Sequence, residues 1–127
     1  MLGMTYYRTG RNHEAMEAFN QVIRIDPNEP RGYDNRGYLY LDLGKYDYAI
    51  EDFKKTIELD KSAVDPHIGL SIIYFRQKKP EEAKHYYKRA SEMEPLCKGG
   101  PDALERSGNY FYTSTQKQTI NEILKLF

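Results

Sequence analysis

A chain of 127 residues, 39% hydrophobic and 30% charged, has the composition of one folded domain rather than of a disordered segment. Its 19 basic and 19 acidic side chains cancel, so no net field draws it to nucleic acid or an anionic membrane, and neither is expected as a partner. No apolar run approaches the roughly 18 residues of a membrane span, the first residues do not read as a secretory signal, and a single cysteine, Cys97, fits a reducing cytoplasm.

The first predicted helix covers residues 2–9 and ends at Gly10, a reversal point that suits the left-handed conformation glycine adopts without a Cβ penalty. A second runs over 12–25, with Ala15, Phe19, Val22 and Ile23 at helical spacing, and Pro27 stops it. Helices over 30–43 and 46–59 repeat the arrangement around Gly44, with Ala49, Ile50, Phe53 and Ile57 on the inner face. Another pair is predicted over 64–77 and 80–93, opened by Pro80 in its first turn and closed by Pro95. The "KGGP" stretch at 98–101 reads as a loop. "DALERSGNYFYTS" reads as a further helix, and a last one over 115–127 places Ile120, Ile123, Leu124 and Phe127 on one face to cap the preceding pair.

These elements recur every 34 residues: Ala15, Ala49 and Ala83 coincide, as do Phe19, Phe53 and Tyr87, and Tyr6, Tyr40 and Tyr74. Gly10 and Gly44 fall on Lys78, and Gly3 and Gly37 on Ser71. A glycine inside a helix costs roughly 0.5–1 kcal/mol relative to alanine. Gly37 is therefore expected where paired helices touch closely, with aromatic rings filling the space on either side.

Residue chemistry argues against catalysis. His13, His67 and His85 lack the convergent N/S partners that a zinc site needs. Cys97 has no basic neighbour in a recognisable motif, and Gly99-Gly100 lacks the Lys-Ser/Thr of a phosphate loop. The acids Asp42, Asp47, Glu81 and Glu82 sit on helix surfaces or in first turns, where they favour the helix dipole. The basic stretch "RQKKPEEAKHYYKRA" reads as an exposed helix surface. No enzyme activity, metal or cofactor is expected.

Gly37, Tyr40, Gly44, Tyr46, Ala49, Phe53 and Leu59 resemble the signature of the tetratricopeptide repeat, and matching positions extend the resemblance over residues 1–96. Arg36, Thr56, Lys61, His67 and Ser71 depart from it. The resemblance implies an all-α, right-handed superhelical stack of antiparallel helix pairs, an alpha-alpha solenoid, forming a single domain over 1–127. Repeats would cover 1–29, 30–63 and 64–97, with a degenerate fourth unit and capping helix pair over 98–127. The first unit starts about five residues late, so either its leading helix is naturally short or the chain is a piece of a longer array, the second being favoured by an entry in mid-helix at Leu2-Gly3. The family's concave wall, built mostly by first helices, binds peptides or helices of partner proteins. That mapping selects Tyr7, Arg8, Arg31, Asp34, Asn35, Tyr38, Leu41, Ile68, Ile72, Phe75 and Arg76 as partner-binding residues, with an apolar middle and a charged rim. A clamp for acidic chaperone tails, known in the family, is disfavoured: Asn35 matches one of its asparagines, but Met4, Asp65 and Gly69 occupy other clamp positions. The alternative function is a self-assembling scaffold, a homo-oligomer formed through the open first unit or the final helix.

Overall fold

The computed structural model describes residues 2–127; Met1, the first residue of the expected first repeat, lies outside them. Among the described residues there is no strand. Eight α-helices follow one another: α1 (Leu2–Arg8), α2 (Asn12–Ile25), α3 (Pro30–Asp42), α4 (Tyr46–Leu59), α5 (Asp65–Arg76), α6 (Pro80–Met93), α7 (Gly100–Arg106) and α8 (Ser114–Leu124). A 3-10 turn, Pro95–Gly99, joins α6 to α7. The chain divides into two compact units, one ending at Pro66 and one starting at His67. In the first, α1 packs on α2, α2 on α3 and α3 on α4. In the second, α6 packs against the 3-10 turn and α8, and α7 against α8.

The repeated glycines inside α1 and α3 make room for rings. A Cβ at Gly37 would lie 2.8 Å from Phe53 Cε1 and 3.0 Å from Cδ1, well inside van der Waals contact. At Gly3 it would lie 2.6 Å from Phe19 Cε1. The close approach expected between paired helices is thus a ring-into-backbone contact, and both rings are fully buried. Tyr38 adds an edge-on contact to Phe53, with ring centroids 4.9 Å apart. In the third pair Ser71 replaces the glycine, and its hydroxyl donates to the Ala83 carbonyl at 2.8 Å, tying α5 to α6.

Arg36, where the repeat usually carries leucine, has an observed partner. Its guanidinium holds both oxygens of Asp52 at 2.8 Å and donates to Asn20 Oδ1 at 3.0 Å, joining α2, α3 and α4. Two parallel bonds of this kind are the stronger form of an arginine–carboxylate pair. The Tyr33 and Tyr40 rings lie 5.8 and 5.7 Å from the same guanidinium. Thr56, another departure, turns its hydroxyl to the Asp52 carbonyl at 2.9 Å.

Reversals within the pairs use positive φ, +78° at Gly10 and +74° at Gly44, and Lys78 adopts +63° at the third. The connections from one pair to the next are built by acids. Asp26 Oδ1 accepts from the backbone N–H of Asn28, Asp60 Oδ1 from that of Ser62 and Glu94 Oε2 from that of Leu96, at 3.1, 3.0 and 3.3 Å. Such a side-chain turn fixes the chain's exit without help from proline, which accounts for the tolerance of Lys61.

Beyond Cys97 the structure departs from expectation. Lys98 and Gly99 close the 3-10 turn, and Gly100 already opens α7 rather than lying in a loop. The helix read through "DALERSGNYFYTS" stops at Arg106, because Gly108 takes φ +83° and Thr113 begins a new helix. Thr113 and Gln116 exchange side-chain and backbone bonds in a capping box, which starts α8 at Ser114. Ile120 and Ile123 are fully buried, whereas Phe127 is 62% exposed.

Gly37→Ala tests the ring contact directly. The methyl gains helix propensity but meets the Phe53 ring, so we expect a net loss of about 1–3 kcal/mol in urea unfolding. Adding Phe53→Leu to Gly37→Ala should then cost less than Phe53→Leu costs the parent. Stabilisation by Gly37→Ala alone would show that the ring yields freely.

Candidate functional site

The structure sorts the partner-binding residues expected from the sequence into three kinds. Leu41, Ile68 and Ile72 are corrections: their exposures are 1%, 0% and 0%, so they fill the interior and offer a partner no surface. Their apolar character reflects packing demand, which a one-dimensional reading cannot separate from an exposed apolar anchor.

A second kind is partly committed to the fold. Tyr7 is buried, and its hydroxyl donates to Asp42 Oδ2 at 2.6 Å, linking α1 to the end of α3. Tyr38 is buried too, donating to the Asp65 carbonyl at 2.6 Å. Arg31 is exposed but folds back on Glu29, with Nε 2.9 Å from Oε1, and this holds the Glu29 carboxyl below its usual range. In the second unit Arg76 reaches α8: Nη2 lies 3.1 Å from Thr119 Oγ1 and 3.4 Å from the Thr115 carbonyl. These two threonines escaped the sequence reading, because the 34-residue register does not extend to α8.

The third kind is available at the surface. Arg8 is exposed, and Asp34, Asn35 and Phe75 are half-buried. Phe75 and Arg76 border an open cavity of about 720 Å³ with Lys78, Pro80, Thr119 and Glu122. On α3, Asp34 carries a cost: its Oδ1 is closed to solvent and has no hydrogen-bond partner. Burial first, then the neighbouring Asp65 carboxylate, push the Asp34 carboxyl well above its ordinary range.

No set of three or more His, Cys, Asp or Glu side chains among the described residues could hold a metal ion. His13 pairs with Glu17 at 3.1 Å on an exposed helix face, His67 is buried near Tyr86, and Cys97 is buried. No described helix is long and apolar enough to cross a membrane.

Family models described as TPR repeat and Tetratricopeptide repeat match residues 3–44, 31–62 and 65–95. Tetratricopeptide repeat protein 14 of Mus musculus is 29% identical over 122 residues, covering 91% of this chain and 16% of its own length. Hsp70-Hsp90 organizing protein 3 of Arabidopsis thaliana is 28% identical over 123 residues, 97% of this chain and 22% of its own length. The chain therefore spans less than a quarter of these relatives. Among solved structures, the Arabidopsis OM64 TPR domain superposes with a TM-score of 0.74 at 18% identity, over 98% of this chain and 90% of its own. The first TPR of Spaghetti (RPAP3), bound to the HSP90 peptide SRMEEVD, gives 0.70 at 26% identity, over 97% and 87%. These likenesses place the fold among the alpha-alpha solenoids.

The position of Asp34 yields a pH test. The folded chain holds this proton at pH values where the unfolded chain has released it. The associated stability is complete below the unfolded carboxylate pKa and is lost as pH rises through the raised folded one. Asp34→Asn keeps the shape and cannot ionise. Its melting temperature should exceed the parent's near neutral pH, and the two curves should converge below about pH 4. Circular-dichroism melts from acid to neutral pH would refute the account if the gap did not change.

Proposed function

The chain belongs to the tetratricopeptide repeat family, and from that premise we propose a non-catalytic protein-interaction module that holds a partner's peptide or helix against the first helices of its repeats. The observation that carries this reading is the likeness, across 97% of the chain, to a repeat domain solved with a seven-residue peptide. In this reading the repeats over 1–29, 30–63 and 64–97, with the cap over 98–127, act as one domain in the cytoplasm. Arg8, Asp34 and Asn35 in the first unit, and Phe75 in the second, are the contact residues that remain once the interior ones and those bonded within the fold are set aside.

The partner class differs from an acidic tail. Asp65 stands where a clamp would need a cation, and Asp34 beside it is kept at a cost in burial. A carboxyl retained against stability on a first helix is more readily understood if a ligand compensates it. A partner with a basic side chain answers that pattern, the base neutralising the carboxylates; in the second unit the half-buried Phe75 ring separately suits an apolar group.

Exposed Leu2 and Ile25, together with Phe127, favour a second reading, self-assembly into a scaffold. Light scattering across concentration separates the two, since assembly requires a species larger than the monomer.

Quantitative pull-down with parent and Arg8→Glu/Asn35→Ala baits tests the first reading. We expect the specific partner to fall at least about tenfold with melting unchanged, and equal recovery would overturn the assignment. The first-helix site should not hold the labelled peptide SRMEEVD at concentrations up to about 1 mM, an energy near 4 kcal/mol, so any anisotropy gain should be the same in parent and Arg8→Glu/Asn35→Ala.

A further inference from the structure

The second unit carries a cavity that the first-helix site does not use. It encloses about 670 Å³, within the range of small-ligand and peptide pockets, and lies between α6, the 3-10 turn and the end of α8. Its apolar wall is formed by Tyr87, Leu124 and the exposed ring of Phe127. Lys84 and Lys88 stand on one edge of α6, four residues and so one turn apart, and Lys98 enters from the 3-10 turn. Among the described residues no carboxylate forms an ion pair with any of these three lysines. Lys84 Nζ instead rests 5.8 Å from the centre of the Phe127 ring. Glu92 is the one acid in the lining.

We propose that this cavity is a second docking site, specific for a short protein segment in which acidic side chains flank a large apolar one. Three cations set around an apolar wall ask for two or more carboxylates and one apolar group on the same ligand. The four-residue offset of Lys84 and Lys88 matches charges carried along an extended or helical peptide. A fatty acid would supply a single carboxylate for three ammonium groups, which is a poorer electrical match. The requirement is opposite in sign to the partner proposed for Asp34 and Asp65, so the two sites are independent. Electrostatic complementarity of this kind sets orientation and encounter rate, while the buried apolar group supplies most of the residence time.

The test is fluorescence anisotropy on the full chain with a fluorescein-labelled hexapeptide, a Leu-Phe pair flanked on each side by two glutamates. We expect a Kd of roughly 100 μM or tighter at low salt, weakening several-fold at physiological ionic strength. Lys84→Glu/Lys88→Glu should weaken binding by about tenfold or more, and Phe127→Ala should do the same without moving the melting temperature. The probe with lysines in place of glutamates should not bind. Three results of the binding assay would overturn the proposal, and a fourth comes from light scattering. One is absence of binding; another is equal binding of the basic probe. The third is loss of binding in Arg8→Glu/Asn35→Ala but not in Lys84→Glu/Lys88→Glu, which would move the peptide to the first-helix site. If Phe127 instead seats in a second copy, light scattering will show a dimer that Phe127→Ala dissolves, and the peptide assignment falls.

Discussion

The depth to which Phe19 and Phe53 reach into the helix opposite sets the spacing of the paired helices, and that spacing governs what each first helix can show to solvent. A ring can come so close only where the facing backbone carries no side chain, which is why Gly3 and Gly37 persist in spite of their conformational cost. The aromatic group then contributes its full burial, and its neighbour Tyr38 is held edge-on against it. With Tyr38 so placed, its hydroxyl meets the Asp65 carbonyl and fixes the start of α5. Surface chemistry on α3 is therefore a consequence of packing beneath it.

Much of this was legible in the chain itself. The 34-residue recurrence located six helices to within two residues, and Gly10 and Gly44 marked reversals that do take positive φ. The third reversal was harder to read, because Lys78 accepts the same backbone conformation without being glycine. After Cys97 the period fails, and local rules had to decide alone. The Thr113–Gln116 capping box lies within a stretch whose apolar and aromatic residues also suit a continuous helix. Gly108 is the available clue, since its φ of +83° is one a continuing helix could not take.

Site residues were less legible than the fold. Leu41, Ile68 and Ile72 lie at positions that a helical projection places outward, yet each is enclosed. A projection knows the phase of one helix but not where the next one lies. Arg36 shows the same limit from the other side. It looked like a departure from an apolar position, and its meaning comes from Asp52 and Asn20, each 16 residues away in sequence on a different helix. A charge at a half-buried position is tolerable when a fork of hydrogen bonds meets it, and a pair of this sort constrains geometry more than it adds net stability.

The acid-built turns at Asp26, Asp60 and Glu94 have an evolutionary corollary. Each captures the chain through a bond spanning two residues, so the intervening side chain, Pro27, Lys61 or Pro95, carries little of the geometry. Proline and lysine both stand at the intervening position, and the same bond forms beside either. Substitution at the joints then leaves the hairpins alone: α2, α4 and α6 each keep 14 residues although the residue after the acid is proline, lysine and proline in turn.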